Sequence, residues 1–258
     1  MSELKYVPFE EESQEIKDKV TDYWTKRSDS FFEHKCHELK STMASRWLKE
    51  ITAQISGKVP SKDEDAKILD IGCGVGFFTV LLGKDGYDVT GIDLTQEMIN
   101  KAKILIELNG PYRKELKAVT MDAEKLSFSD ESFDVIVTRN LTWTLPHPVE
   151  AYKEWFRVLK KGGILLNFDA EYAKGAHNLS NQENLAHKMV SDDMKDECHK
   201  IYHMLTISTL DRPKWDEEVL SEIGFKKIVA DTNFADRIFV EKDEFYIPDR
   251  VFMIKAVK

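Results

Sequence analysis

The chain has 258 residues, 42% of them hydrophobic, and a formal net charge of -9. This composition supports one domain with a full core, and the acidic balance disfavours binding to RNA or DNA, which attract proteins through clustered Lys and Arg. No stretch approaches the roughly 20 apolar residues of a membrane span, and three cysteines suit a reducing compartment, so the sequence predicts a cytoplasmic protein without a membrane partner.

The N-terminal region is predicted to be helical. Its first 15 residues lack the basic flank and apolar stretch of a secretory signal. Apolar residues then recur at helical spacing around Trp47, and no proline lies between Phe9 and Val59. We expect residues 1–58 to form a helical cap ahead of the main domain, residues 66–258.

From residue 66 onward, short apolar runs alternate with amphipathic segments, which predicts a mostly parallel sheet with helices on both faces. The predicted strands are residues 67–71, 87–92, 116–121, 133–138, 164–169, 225–230 and 250–257. Helices are predicted at 95–108, 148–160 and 215–223. Residues 174–210 interrupt the alternation as a helical insertion, and a helix at 192–205 carries an apolar stripe expected to pack over a pocket as a lid.

The first strand runs into a glycine turn in the segment ILDIGCGVGFF, residues 68–78. Glycine has no Cβ and tolerates positive φ, so a ligand can approach the backbone there. A dinucleotide-binding loop would place its third glycine at position 77, which is Phe77 in this chain. Asp70 also suits a cationic ligand better than a diphosphate, which a carboxylate repels.

Acids end the next two strands, at Asp93 and Asp122. The carboxyl ends of parallel strands are where doubly wound sheets place their ligands. Asp93 can accept hydrogen bonds from both hydroxyls of a ribose, and Asp122 from an adenine amino group. Each acid alone could instead cap the following helix.

Together these segments resemble the class I S-adenosylmethionine-dependent methyltransferases. The matching motifs are Asp70 to Gly76, Asp93, Asp122-Ala123, the strand FDVI at 133–136, and RVLKKGG at 157–163. The resemblance is to the branch that methylates small molecules, such as the quinone-biosynthesis methyltransferases. It implies a Rossmann-like α/β fold with a seven-stranded sheet whose last strand alone is antiparallel.

The resemblance also implies the cofactor, S-adenosyl-L-methionine, and its contacts. Gly72 and Gly74 would line its methionine part, Asp93 the ribose, and Asp122 with Ala123 the adenine. The full set of expected cofactor-binding residues is Tyr23, Arg27, Asp70, Gly72, Cys73, Gly74, Asp93, Leu94, Met98, Asp122, Ala123, Glu124 and Asn140. Tyr23 and Arg27 belong to a YWTKRS segment similar to one that closes over the cofactor in some of these enzymes.

The residues that bind or activate the methyl acceptor are expected outside the cofactor motifs. Trp143 and Tyr172 are candidates for substrate binding, and Asp169, Glu171 and His177 for catalysis. Two carboxylates beside aromatic rings favour a cationic or amine acceptor, so we expect a nitrogen nucleophile. Methylation on oxygen, sulfur or carbon remains an alternative, as does a catalytically inactive cofactor-binding protein.

A possible metal cluster lies on the predicted insertion helix. Asp196, His199 and His203 fall at helical spacing, but a fourth ligand is lacking, and we expect a solvated helix face and no metal. A nicotinamide-dependent oxidoreductase is disfavoured by Phe77 and Asp122, and a nucleic-acid methyltransferase by the lack of a basic groove. The sequence leaves the oligomeric state open.

Overall fold

The structure of the chain, a computed structural model, describes residues 10–172, 184–188 and 190–258. Its centre is a seven-stranded sheet in the order β3-β2-β1-β4-β5-β7-β6. The strands are β1 (Lys67–Ile71), β2 (Asp88–Asp93), β3 (Lys117–Thr120), β4 (Phe133–Arg139), β5 (Leu159–Asp169), β6 (Lys226–Asp231) and β7 (Phe252–Val257). The first five pair in parallel, and β7 runs antiparallel to both β5 and β6. The predicted fold class is confirmed.

Helices cover both faces of this sheet. They are α1 (Glu10–Lys40), α2 (Thr42–Ile55), α3 (Phe77–Lys84), α4 (Gln96–Asn109), α5 (Pro148–Val158), α6 (Asp192–Met204), α7 (Lys214–Ile223) and α8 (Ala235–Ile238). Short 3-10 turns lie at Lys62–Glu64, Thr142–Thr144, Leu185–His187 and Thr206–Thr209. The predicted insertion helix is α6, and the predicted N-terminal helices are α1 and α2.

One predicted boundary is wrong. The predicted helix at 148–160 ends at Val158, and β5 begins at Leu159 instead of Ile164. Tertiary pairing explains the difference: Leu159 lies opposite Phe133, and Gly162 donates its backbone N–H to the carbonyl of Lys258 at 2.9 Å. These partners lie far away in sequence, so a local helical pattern cannot reveal them.

The core lies on both faces of the sheet. On one face, the Trp47 ring of α2 packs within 5.2–5.3 Å of the rings of Phe78, Phe168 and Phe234. On the other face, Tyr152 and Trp155 of α5 are fully buried against the sheet. Helix α2 therefore shares its core with the sheet, which anchors the N-terminal region to the α/β domain.

The burial of α2 gives a stability prediction. Ile51 is fully buried, whereas Ile104 on α4 is 43% exposed. Ile51→Ala should lower the free energy of unfolding by about 2–5 kcal/mol, and the matched control Ile104→Ala by under about 1 kcal/mol. Urea denaturation measures both. Equal losses in the two variants would contradict the packing described for α2.

Candidate active site

A cavity of about 180 Å³ opens at the carboxyl ends of β1, β2 and β4, beneath helix α1. All the predicted cofactor-binding residues except Glu124 line it, as do Trp143 and Tyr172. Asp169 and Glu171 do not line it, and His177 lies outside the described residues. The cavity thus brings the predicted cofactor motifs together and leaves out the two carboxylates expected to act in catalysis.

The glycine turn after β1 forms the floor of the cavity. Gly72 and Gly74 have φ of 67° and 52°, in the left-handed region. A Cβ at Gly72 would lie 2.8 Å from the Leu141 side chain, and one at Gly74 would lie 3.2 Å from Phe31. The turn therefore combines a backbone conformation that favours glycine with close contacts that leave no room for a side chain.

Asp93 connects the end of β2 to the glycine turn. One carboxylate oxygen accepts the backbone N–H of Gly74 at 3.0 Å, and the other accepts that of Thr95 at 2.8 Å. Burial raises the pKa of Asp93, while the two N–H donors act to lower it. Each oxygen keeps a second lone pair, so the carboxylate can still accept two hydrogen bonds from a ligand.

Asp70 lies beneath the turn, near the end of β1. Its side chain accepts a hydrogen bond from the Thr79 hydroxyl at 2.7 Å. Burial raises the pKa of Asp70 to about 7, so at neutral pH this carboxyl is only partly ionised. Its negative charge in the cavity is correspondingly reduced.

A lysine from α1 reaches the acids that follow β3. Lys17 binds Asp122 at 2.7 Å and Glu124 at 2.5 Å. Glu124 also accepts the backbone N–H of His147 at 2.7 Å. Asp122 lines the cavity and Glu124 does not, so cofactor binding by Glu124 stays a prediction.

Helix α1 lies along the whole cavity. Among its lining residues, Arg27 is 9% exposed, and its Nε is buried with no hydrogen-bond partner among the described residues. A buried donor without a partner is costly, and a bound anionic ligand would supply the acceptor. On its other side, α1 packs against α6, where Lys26 binds Glu197 at 2.9 Å.

Aromatic side chains close the end of the cavity beyond β4. The Trp143 ring lies 5.6 Å from that of Tyr172 and 4.7 Å from that of Tyr202 on α6. The Tyr172 hydroxyl donates to Asn140 Oδ1 at 2.6 Å, and Asn140 has a positive φ of 57°. This end is walled by rings that exclude water.

Asp169 lies in a buried group of ion pairs outside the cavity. Its carboxylate is fully buried, binds Arg212 at 2.9 Å and accepts the backbone N–H of Trp143 at 3.0 Å. Arg212 also binds Asp216, and its backbone N–H donates to Glu171 at 3.1 Å. The Arg212 guanidinium and the Trp143 backbone thus bind the Asp169 carboxylate, and Glu171 accepts one backbone N–H. Neither carboxylate lines the cavity, and their catalytic role stays a prediction.

A further group of charged residues, on the cavity wall, was not predicted from the sequence. On the cavity wall, Arg139 Nη1 binds Glu38 at 2.8 Å, and Lys35 also binds Glu38. The Arg139 guanidinium stacks 4.4 Å from the Trp47 ring. Lys35 and Arg139 both line the cavity, whereas Glu38 lies fully buried behind them.

The sequence contained a signal for part of this wall. Apart from the adjacent pair Tyr23 and Trp24, the α1 residues that line the cavity recur every three or four positions, as expected for one helix face: Lys17, Val20, Tyr23, Trp24, Arg27, Phe31 and Lys35. Because this helix face mixes charged and apolar residues, hydrophobic periodicity alone does not reveal it. Nothing in the sequence shows which β4 residue lies opposite Lys35.

The histidines of α6 lie side by side, with His199 and His203 Nε2 atoms 3.0 Å apart. Within the part of the chain that the structure describes, no group of three or more His, Cys, Asp or Glu residues could hold a metal ion. The helices of that part also include none that is long and apolar enough to cross a membrane.

Comparison with known proteins agrees with this geometry. Residues 69–167 match the model of a methyltransferase domain family, Methyltransf_11. Over these residues the chain is similar to a methyltransferase domain. The matched residues include the glycine turn, Asp93, Asp122 and most of the strands that hold them.

Two curated relatives extend the match. An uncharacterized protein of Haemophilus influenzae is 32% identical over 170 residues, which are 64% of this chain and 60% of that protein. The 2-methyl-6-phytyl-1,4-hydroquinone methyltransferase of Synechocystis sp. is 38% identical over 103 residues, 40% of this chain and 31% of that enzyme. The chain spans at most 60% of the length of either relative.

A solved structure shows the same fold over more of the chain. The phosphoethanolamine N-methyltransferase 2 of Haemonchus contortus, in complex with S-adenosyl-L-methionine, has a TM-score of 0.56 at 18% identity. The match covers 82% of this chain and 51% of that one. The methyltransferase fold therefore includes elements outside the matched family model.

The buried ion pairs of Arg212 give a second stability prediction. Arg212→Met leaves Asp169 and Asp216 buried without their cation, which should cost about 3–5 kcal/mol of unfolding free energy. Arg113→Met is the matched control, because Arg113 pairs with Asp63 at the surface and its removal should change stability far less. Urea denaturation compares them. A similar midpoint for both variants would show that the buried pairs do not stabilise this end of the sheet.

Proposed function

We propose that the protein transfers a methyl group from S-adenosylmethionine to a small-molecule acceptor. The observation that carries the proposal is one cavity that unites a left-handed glycine turn, the Asp93 carboxylate at the adjacent strand end and the unpartnered Arg27 donor. The match of residues 69–167 to a methyltransferase domain supports the proposal, because that segment contains the glycine turn and Asp93.

The residues present fit the cofactor. Gly72 and Gly74 line the cavity with a left-handed backbone that carries no Cβ, and Asp93 retains lone pairs for two ribose hydroxyls. Asp122 and Ala123 lie where the adenine would bind, and Arg27 offers a charged donor to the carboxylate of the methionine part. Tyr23, Cys73, Leu94, Met98 and Asn140 complete the proposed cofactor site.

When bound, S-adenosylmethionine supplies an electrophilic methyl group on a sulfonium. The chain's own contribution is alignment of the acceptor and exclusion of water, which such a displacement chiefly requires. Trp143, Tyr172 and Tyr202 wall the end of the cavity beside Asn140 and supply the dry surface. We propose that Trp143 and Tyr172 contact the acceptor, as expected from the sequence.

The atom that accepts the methyl group depends on residues other than those of the cofactor site. A nitrogen acceptor was expected because Asp169 and Glu171 were to supply free carboxylates. Asp169 instead pairs with the Arg212 guanidinium, Glu171 accepts the Arg212 backbone N–H, and neither acid lines the cavity, so the cavity offers no electrostatic support for an amine from these two acids. We propose methylation of a small molecule and leave nitrogen as one prediction beside oxygen, sulfur and carbon.

Asp93 gives the most direct binding test. Asp93→Ala removes both ribose acceptors and should weaken S-adenosylhomocysteine binding at least about tenfold, because a hydrogen bond to a charged group contributes about 1.5–3 kcal/mol. Asp88→Ala is the matched control, since Asp88 begins the same strand at its opposite end. Calorimetry measures both dissociation constants. Equal constants for wild type and Asp93→Ala would remove Asp93 from the cofactor site.

Turnover tests the activity itself. Wild type, incubated with a metabolite extract and S-adenosylmethionine labelled in its methyl group, should produce a labelled small molecule and S-adenosylhomocysteine in equal amounts. Asp93→Ala should reduce this product and Asp88→Ala should not. Tight cofactor binding without any labelled product would favour the alternative of a catalytically inactive binding protein.

A further inference from the structure

The charged group on the cavity wall formed by Lys35, Glu38 and Arg139 has an excess of positive charge. Two cations bind one carboxylate, and all three side chains are largely removed from water. Arg139 has five N–H donors, yet the described residues accept only one side-chain hydrogen bond from it, at Glu38. A buried cation with unused donors is costly unless an anion binds it.

Neighbouring titratable groups cancel only part of this charge. Burial and the charge of Lys35 lower the pKa of His34 to about 4, so His34 is neutral at pH 7. Burial raises the pKa of Asp70 to about 7, which leaves that carboxyl partly protonated. Burial and Arg139 lower the pKa of Lys35 to about 8, so it still carries most of its charge at neutral pH.

Under the proposed function, the cofactor does not neutralise the excess positive charge of Lys35 and Arg139. S-adenosylmethionine has one carboxylate, and its proposed partner is Arg27, whose Nη1 donates to Ser30 and whose buried Nε has no partner among the described residues. Lys35 lies eight residues beyond Arg27 on the same helix face, about 12 Å along the axis at 1.5 Å per residue. A second anionic group in the cavity would therefore belong to the acceptor.

The cavity walls beside Lys35 and Arg139 indicate the chemical character of the remainder of such a ligand. Trp143, Tyr172, Tyr202 and Ile247 line the same cavity and present mainly rings and aliphatic carbon. This surface suits an apolar or aromatic body, and the cations suit an oxyanion, because Arg binds carboxylate and phosphate through paired donors.

We propose that Lys35 and Arg139 form an anion-binding subsite, and that the methyl acceptor is a small molecule with an apolar or aromatic body and a carboxylate or phosphate group. This inference rests on the proposed function. Glu38 is a positioning residue in this account, since it holds both cations at the cavity wall without lining the cavity itself.

The test uses four probes that share one body: 3-phenylpropanoate, 3-phenylpropyl phosphate, 3-phenylpropanol and 3-phenylpropylamine. Each is titrated into the full chain saturated with S-adenosylhomocysteine, and calorimetry gives its dissociation constant. The carboxylate or the phosphate should bind at least about tenfold more tightly than the alcohol and the amine. The better of the two anions identifies the chemical source of the oxyanion.

Variants separate a ligand role from a structural one. Arg139→Met and Lys35→Met should abolish the preference for the anionic probes, whereas Glu38→Gln, which removes a negative charge, should retain or increase it. Lys101→Met is the control, because Lys101 binds the exposed Asp29 outside the cavity. The double variant Glu38→Gln/Arg139→Met avoids leaving a buried carboxylate unpaired and should also lose the preference.

Cofactor affinity tests whether Arg27 binds the cofactor carboxylate while Arg139 binds a different anion. Arg27→Met should weaken S-adenosylhomocysteine binding about tenfold or more, and Arg139→Met should change it by less than about threefold. The proposal is overturned if the alcohol or amine binds as tightly as the anions, or if Arg139→Met weakens the cofactor as Arg27→Met does. Failure of methyl transfer with intact anion preference would instead contradict the proposed function alone.

Discussion

The carboxylate of Asp93 is the interaction on which the candidate site depends most. It accepts a backbone N–H from the glycine turn after β1 and another from the start of α4, and so fixes two strand ends relative to each other. The parallel order of β1 and β2 makes this contact possible, because it brings both carboxyl ends to one edge of the sheet. The glycines then leave space above that edge, and α1 covers it.

Two buried charged groups near this edge have opposite consequences. Around Arg212, the carboxylates of Asp169 and Asp216 outnumber the guanidinium, and Tyr152 donates to Asp216. This group lies outside the large cavity and connects β5 to the start of α7. The group around Glu38 has excess positive charge and does line the cavity, through Lys35 and Arg139. Position and charge balance together distinguish a group that holds the fold from one that can bind a ligand.

The residues predicted for the cofactor come together in one cavity, because their sequence signals are local. The glycine turn, Asp93 and Asp122 each lie at or just after the carboxyl end of a strand, and parallel pairing brings such ends together. The acceptor half depends on contacts between distant segments. Arg212 lies 43 positions after Asp169, and Arg139 lies 101 positions after Glu38, so neither ion pair has a local pattern. Asp169 and Glu171 looked like free acids for the same reason.

A crystal structure of the protein grown with S-adenosylhomocysteine tests the central claim most directly. The account predicts the ribose hydroxyls within hydrogen-bond distance of Asp93, the adenine beside Asp122 and Ala123, and the carboxylate of the methionine part at Arg27. Arg139 and Lys35 should remain free of the cofactor. A nucleoside bound elsewhere, or a cofactor carboxylate at Arg139 and Lys35, would contradict it.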